Sequence, residues 1–169
     1  MKTVAVIDTT FARVPMGAIA RSALRSTGGS FRIVRRTVPG IKDLPVAAVQ
    51  CFAEGADLVM ALGMPGKAEY DRTCAHEASQ GLISVGVRVG RPIVEVFVFE
   101  GEASTDRTLR TLARNRTVEH AWNAYRLLYR PDDLTRTAGS GARQGFPDVG
   151  PAGSPPRNRG FENGIAKYA

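Results

Sequence analysis

A chain of 169 residues, 43% hydrophobic and 23% charged, is long enough to bury one core and has the balance of an ordinary soluble globular domain. Its longest apolar runs are only a few residues, too short to span a membrane, and Met1-Lys2-Thr3 leads straight into a strand-like run without a secretory leader, so a cytoplasmic protein without membrane contact is expected. A net charge of +7 raises nucleic acid as a partner, but the arginines are scattered from Arg13 to Arg159 and lack interleaved aromatics, so a solvated basic surface is favoured over nucleic-acid binding. In chain order, residues 4–7 form an unbroken apolar run that suits a strand buried on both faces. Met16, Ile19, Ala20, Ala23 and Leu24 then recur at helical spacing, closed by Gly28-Gly29. Residues 31–38 alternate and carry charge, as a strand near a sheet edge does. Asp43 reads as the N-cap of a second helix with Pro45 in its first turn and Gly55 as its stop. Residues 58–62 are a third strand, 71–85 a third helix and 93–99 a fourth strand. A final helical region runs from Leu109 to Leu128, with a break expected near Asn115.

The order βαβαβαβα predicts an α/β fold with a parallel sheet of four strands and helices on both faces. The domain is expected over residues 1–137. After Pro131 the chain turns rich in Gly and Pro with little periodicity, so residues 138–152 read as an arm and 153–169 as a disordered tail. An arm of this kind is either frayed or docked on a neighbouring subunit.

Loops leaving the carboxyl ends of parallel strands are where ligands bind, because strand ends, loop amides and helix N-termini converge there. Three segments are placed to do this: DTTFARV after strand one, VPGIK after strand two and GMPGK after strand three. Phe11 suits either a staple for the following helix or a ring that stacks on a planar ligand. Pro39-Gly40 forces a turn, with Gly40 free to take a positive φ and to let a ligand approach the backbone; Lys42 and Asp43 could bond polyol hydroxyls. The 63–67 stretch lacks P-loop spacing and reads instead as a backbone-rich pocket wall ending in a cation. Glu69, His76 and Glu77 surround the start of the third helix, either as solvated residues or as acid–base groups. Two cysteines, Cys51 and Cys74, are too few for a disulfide framework and are expected as buried thiols; with His76 and His120 they give no metal-ligand spacing, so no metal site is expected.

The segments DTTFARV, RTVPGIKDLPVA, DLVMALGMPGKAEYDRTCAHEASQGL, EVFVFEGEA and LTRTAGSGARQGF, five motifs in order between residues 1 and 152, closely resemble the archaeal-type riboflavin synthases. That family is similar to the 6,7-dimethyl-8-ribityllumazine synthases and unrelated to the β-barrel riboflavin synthases. The resemblance implies a flavodoxin-like three-layer α/β subunit, a ring-shaped homopentamer, and active sites between adjacent subunits, with residues 138–152 at the interface. It implies a transferase reaction, the dismutation of two 6,7-dimethyl-8-ribityllumazines to riboflavin and 5-amino-6-ribitylaminouracil. No redox cofactor is required, and Mg²⁺ is left open as an assisting ion.

Residue by residue, Phe11 and its neighbour Thr10 match the position that meets the pyrimidine-derived ring, which turns the balance toward stacking. Pro39, Gly40, Ile41 and Lys42 match the loop lining the ribityl chain, and Gly63, Met64, Pro65, Gly66 and Lys67 the loop beside the ring. Lumazine synthases carry a His immediately before the Tyr-Asp pair, where this chain has Glu69 before Tyr70-Asp71. His76 falls in CAHEA, where that family reads CNEA. His76 is therefore expected as the proton shuttle, with Glu69 or Glu77 assisting and Lys67 offsetting charge on the ring anion. The Arg residues around Asn115 and Arg116 resemble a phosphate-proximal stretch of lumazine synthases and are expected to make only subunit contacts here. The alternatives are a lumazine synthase and, from another class, a non-catalytic flavin- or nucleic-acid-binding module.

Overall fold

In a computed structural model that describes residues 1–153, the alternating runs become four parallel strands with helices on both faces. The elements are β1 (Lys2–Thr9), α1 (Met16–Ser26), β2 (Phe31–Val38), α2 (Leu44–Ala53), β3 (Leu58–Gly63), α3 (Glu69–Val89), β4 (Ile93–Phe97), α4 (Asp106–Tyr129) and α5 (Pro131–Arg136), with short 3-10 turns at Ile41–Asp43 and Glu100–Glu102. The strand order is β2-β1-β3-β4, the flavodoxin-like winding in which the chain reverses direction between β1 and β3. Val6 thus pairs with Arg35 on one side and Met60 on the other. The apolar character of each strand follows its place. Central β1 and β3 are buried along both faces, whereas edge strand β2 alternates.

Side-chain alternation divides the core in two. Val4, Val6, Leu58, Met60, Leu62, Val94 and Val96 face α1 and α4. Ala5, Ile7, Val59 and Ala61 face α2 and α3. Alanines at the contacts (Ala20 and Ala23 on α1, Ala113, Ala121 and Ala124 on α4) bring the two helices close together over the sheet. At the amino edge of the sheet, the Tyr129 hydroxyl donates to the Ser30 carbonyl at 2.5 Å and accepts from the Lys2 amide at 3.2 Å, so α4 is pinned at the edge away from the strand ends that carry the candidate residues.

Several boundaries differ from the sequence expectation. Helix α3 starts at Glu69 and runs to Val89, with Asp71 accepting from the Ala68 amide at 3.0 Å and Gly90 ending it. Helix α4 passes Asn115 without a break, because Arg116, Thr117 and His120 are buried against the body of the domain and that packing outweighs the small propensity cost of Asn. Strand β4 ends at Phe97, and α5 is a further short helix after Pro131. Gly40 is extended, with φ −142°, not left-handed. Asp43 makes no side-chain cap to α2; its carboxylate accepts from the Gly40 amide at 3.0 Å and closes the 3-10 turn. Residues 154–169, nearly all of the expected tail, lie outside the described residues.

Candidate functional site

The loops at the carboxyl ends of β1, β2 and β3 are tied to one another. Asp8, buried at the end of β1, accepts from Arg35 at 2.9 Å and from Thr37 at 2.5 Å on β2. The Thr10 amide continues the ladder to the Val38 carbonyl at 2.9 Å, and its hydroxyl donates to the Pro39 carbonyl at 3.1 Å. Phe11, next along, is 57% exposed and outside both core clusters, so it staples nothing and presents its ring to solvent. Ile41 leans over Gly63: a Cβ on Gly63 would stand 2.9 Å from Ile41 Cγ2 and 3.0 Å from the Phe97 ring, so only glycine lets β2's loop close over the end of β3.

Lys42 reaches across to α3, where its ammonium pairs with Glu77 at 2.6 Å. The Glu77 carboxylate raises the Lys42 pKa by hydrogen bond and charge, with smaller contributions from Cys74 and Tyr70. One turn of α3 separates Tyr70 from Cys74, and their hydrogen bond raises the Tyr70 phenol. Tyr70, Cys74 and Glu77 therefore share the helix face that meets Lys42. Cys51 is buried as expected, while Cys74 is only half-buried.

The loop after β3 is fixed by backbone bonds, Val98 amide to Gly63 carbonyl at 3.1 Å and Glu100 amide to Pro65 carbonyl at 2.9 Å. Met64 is wholly buried in the α1/α4 core, which leaves only its backbone to serve a site. Gly66, Lys67, Arg72, Phe99, Gly101 and Glu102 line an open depression of about 380 Å³. Its far wall was missed in the sequence, although a fourth strand must also end in a loop at this edge and EGE directly after FVF marks it. There Glu102 takes a two-pronged ion pair from Arg116, 2.7 Å on each arm, and Arg116 also donates to the Phe97 carbonyl at 2.9 Å. Partial burial opposes the Glu102 charge, but the Arg116 guanidinium and the Phe99 amide outweigh it and hold this carboxyl below the usual carboxylate range.

The four expected catalytic groups are not gathered in one place. Lys67 lines the depression, Glu77 is committed to Lys42, Glu69 lies 3.8 Å from Arg72, and His76 Nε2 lies 3.2 Å from the Gln80 amide on the exposed side of α3. Nor do Thr10, Phe11, Pro39, Gly40, Ile41 and Lys42 line the depression. The edge thus carries two partial walls. Among the described residues, no group of three or more His, Cys, Asp and Glu side chains is placed to hold a metal ion, and no helix is long and apolar enough to cross a membrane.

A 2-1-3-4 parallel sheet with backbone-rich loops at the carboxyl edge and an exposed aromatic beside them defines a doubly wound α/β protein, and its strand-end loops lie where this class of fold binds ligands. The chain belongs to the 6,7-dimethyl-8-ribityllumazine synthase family, whose model matches residues 2–131. It is 51% identical over 152 residues to a riboflavin synthase of Methanothermobacter marburgensis, covering 89% of this chain and 99% of that protein. It is 46% identical to one of Aeropyrum pernix, over 89% of this chain and 97% of the other. A 6,7-dimethyl-8-ribityllumazine synthase of Kineococcus radiotolerans is 40% identical over 77 residues, 44% of this chain and 47% of that protein. Matches covering 89% of the chain cannot fit within the first 131 residues, so they take in part of the segment beyond the family model.

Proposed function

We infer that this protein is a riboflavin synthase, a transferase that moves a four-carbon unit from one 6,7-dimethyl-8-ribityllumazine to a second, yielding riboflavin and 5-amino-6-ribitylaminouracil. The observation that carries this reading is the likeness over 89% of the chain to proteins named riboflavin synthase, whereas the Kineococcus radiotolerans protein named lumazine synthase matches 44% of it; the family model over residues 2–131 fits either activity. The geometry is consistent with it. An exposed Phe11 ring offers a stacking face, the 39–42 turn offers backbone and Lys42 to a polyol chain, and the 63–67 loop offers backbone amides to a ring anion.

The chemistry asks little of a base. The C7 methyl of the lumazine is acidic because its carbanion delocalises into the ring, so the main task is to hold two flat, polyol-bearing molecules face to face; such positioning supplies about 7–11 kcal/mol. One lumazine is donor and the other acceptor, so no redox cofactor enters, and a divalent cation such as Mg²⁺ is assigned at most an assisting role. His76 is the proton shuttle of this scheme, because an imidazole can both take up and give back a proton. Lys67 offsets charge on the ring anion, and Glu69 or Glu77 assists; Glu77 acts through Lys42, the partner it holds.

The same reading makes the protein a cytoplasmic homopentamer with sites between neighbours. Two partial walls on one edge, neither enclosing a substrate, support this, because a second subunit is needed to bring a facing wall to Phe11. The arm contributes to that contact through Val149, which is half exposed. The test offers purified protein two sets of substrates in parallel. Riboflavin formed from the lumazine alone supports the assignment; lumazine formed from the aminouracil and a four-carbon phosphate, with no riboflavin, places the chain with the sister activity.

A further inference from the structure

The arm between residues 138 and 152 makes a specific set of contacts with the domain. Its small loop closes on itself, with the Val149 amide donating to the Gly141 carbonyl at 3.0 Å and the Arg143 amide to Asp148 at 2.8 Å. Its tip lands on α4. The Gly145 amide donates to Glu119 at 2.5 Å, and the Phe146 ring lies under the Arg116 guanidinium, 4.9 Å from centroid to Cζ. Gly145 has φ +69°, and a Cβ there would stand 2.6 Å from Arg116 Cγ, so glycine alone permits the approach.

Arg116 is thus held from two sides. Glu102 and the Phe97 carbonyl take its terminal nitrogens, Phe146 covers its face, and its Nε is buried without a hydrogen-bond partner. Glu102 is equally constrained: it accepts from both Arg116 nitrogens and from the Phe99 amide at 2.9 Å, and it lines the depression beside Lys67. The chain of contact runs from arm to Arg116, to Glu102, to the turn of residues 99–102.

We propose that Phe146 and Gly145 are positioning residues for the site: the arm clamps Arg116, and through it sets Glu102 and the turn that forms the wall opposite Lys67. An uncovered guanidinium would exchange protein partners for water, because an ion pair at the surface is worth little and is readily broken. The Phe146 face keeps water from one side of the pair and attracts the cation directly. A wall set in this way acts on substrate binding more than on the chemical step.

The effect on turnover rests on the proposed lumazine substrate, so the test has one arm that uses substrate and one that does not. In steady-state turnover of the lumazine, Phe146→Ala is expected to raise KM about three- to thirtyfold while kcat stays within about twofold, the scale of a lost cation–aromatic contact. Phe146→Tyr, which keeps the ring, is expected to restore KM to near the parent value. Without substrate, the Arg116 Nε–H proton observed by NMR is expected to be protected from solvent exchange in the parent protein and to exchange at least about tenfold faster in Phe146→Ala and in Gly145→Ala, the latter keeping the Phe146 side chain but forcing the loop that carries it off Arg116. Unchanged exchange in both folded variants overturns the clamp. A parent KM in Phe146→Ala with faster exchange overturns the link from clamp to site, and so does a Phe146→Tyr as impaired as the alanine variant. A parent protein that shows the exchange difference but turns over no lumazine leaves the clamp standing and refutes the assigned reaction.

Discussion

Phe11 shows how a single side chain's burial separates two roles. An aromatic in the first loop of an α/β unit usually packs onto the following helix, yet this ring is 57% exposed while Met16 of α1 is almost wholly buried. The ring is thus free to stack on a ligand. Phe11→Ala is expected to weaken lumazine binding by about 1–3 kcal/mol, by analogy with base–aromatic stacking; fluorescence titration measures it, and unchanged affinity in a folded variant would leave the exposed ring without a binding role. His76 is tested by rate. If it shuttles the proton, His76→Ala lowers kcat by about 10²–10⁴ with binding largely intact. A loss below about tenfold would assign the rate to positioning and loop amides, which an acidic C7 methyl would permit.

At the scale of elements, the sheet and its flanking helices were legible because strand burial leaves a direct trace in sequence. Unbroken apolar runs mark β1 and β3, and alternation marks the edge strand β2. Two of the four strand-end loops could be read from Gly and Pro, and the first from the polar run Asp8-Thr9-Thr10 that follows the apolar strand. The fourth, at residues 99–102, carries its weight through Glu102 and a partner fourteen positions away, Arg116, and no local pattern announces that pairing. The expected break near Asn115 failed for the same reason: α4 is held by long-range burial, not by propensity. His120 belongs to this buried stripe, its Nδ1–H donating to the Arg116 carbonyl at 2.7 Å, and burial lowers its pKa from 6.5. A lowered histidine pKa means the unfolded chain takes up the proton first, so stability is full above about pH 6.5 and falls as pH drops toward the folded value. Burial raises the Glu95 pKa, which acts in the opposite sense in the carboxylate range, so the histidine is best isolated by difference. Urea midpoints between about pH 7 and pH 5 are expected to fall less steeply in His120→Gln than in the parent; parallel profiles would remove His120 as a source of the dependence.

For the whole molecule, the single chain carries an open edge with two separated sets of candidate binding groups, and the proposed assembly completes it. A homopentamer of the 18.1 kDa chain is expected by light scattering, and a stable, active monomer would contradict a site shared between subunits. The central claim, dismutation of one substrate, predicts a stoichiometry that no single-substrate isomerase, flavin binder or lumazine synthase shares. Purified protein incubated with 6,7-dimethyl-8-ribityllumazine as the sole organic reactant should form one riboflavin and one 5-amino-6-ribitylaminouracil for every two lumazines consumed, counted by chromatography over a full time course. Riboflavin appearing only with added nicotinamide or flavin, or without the matching aminouracil, would contradict the account.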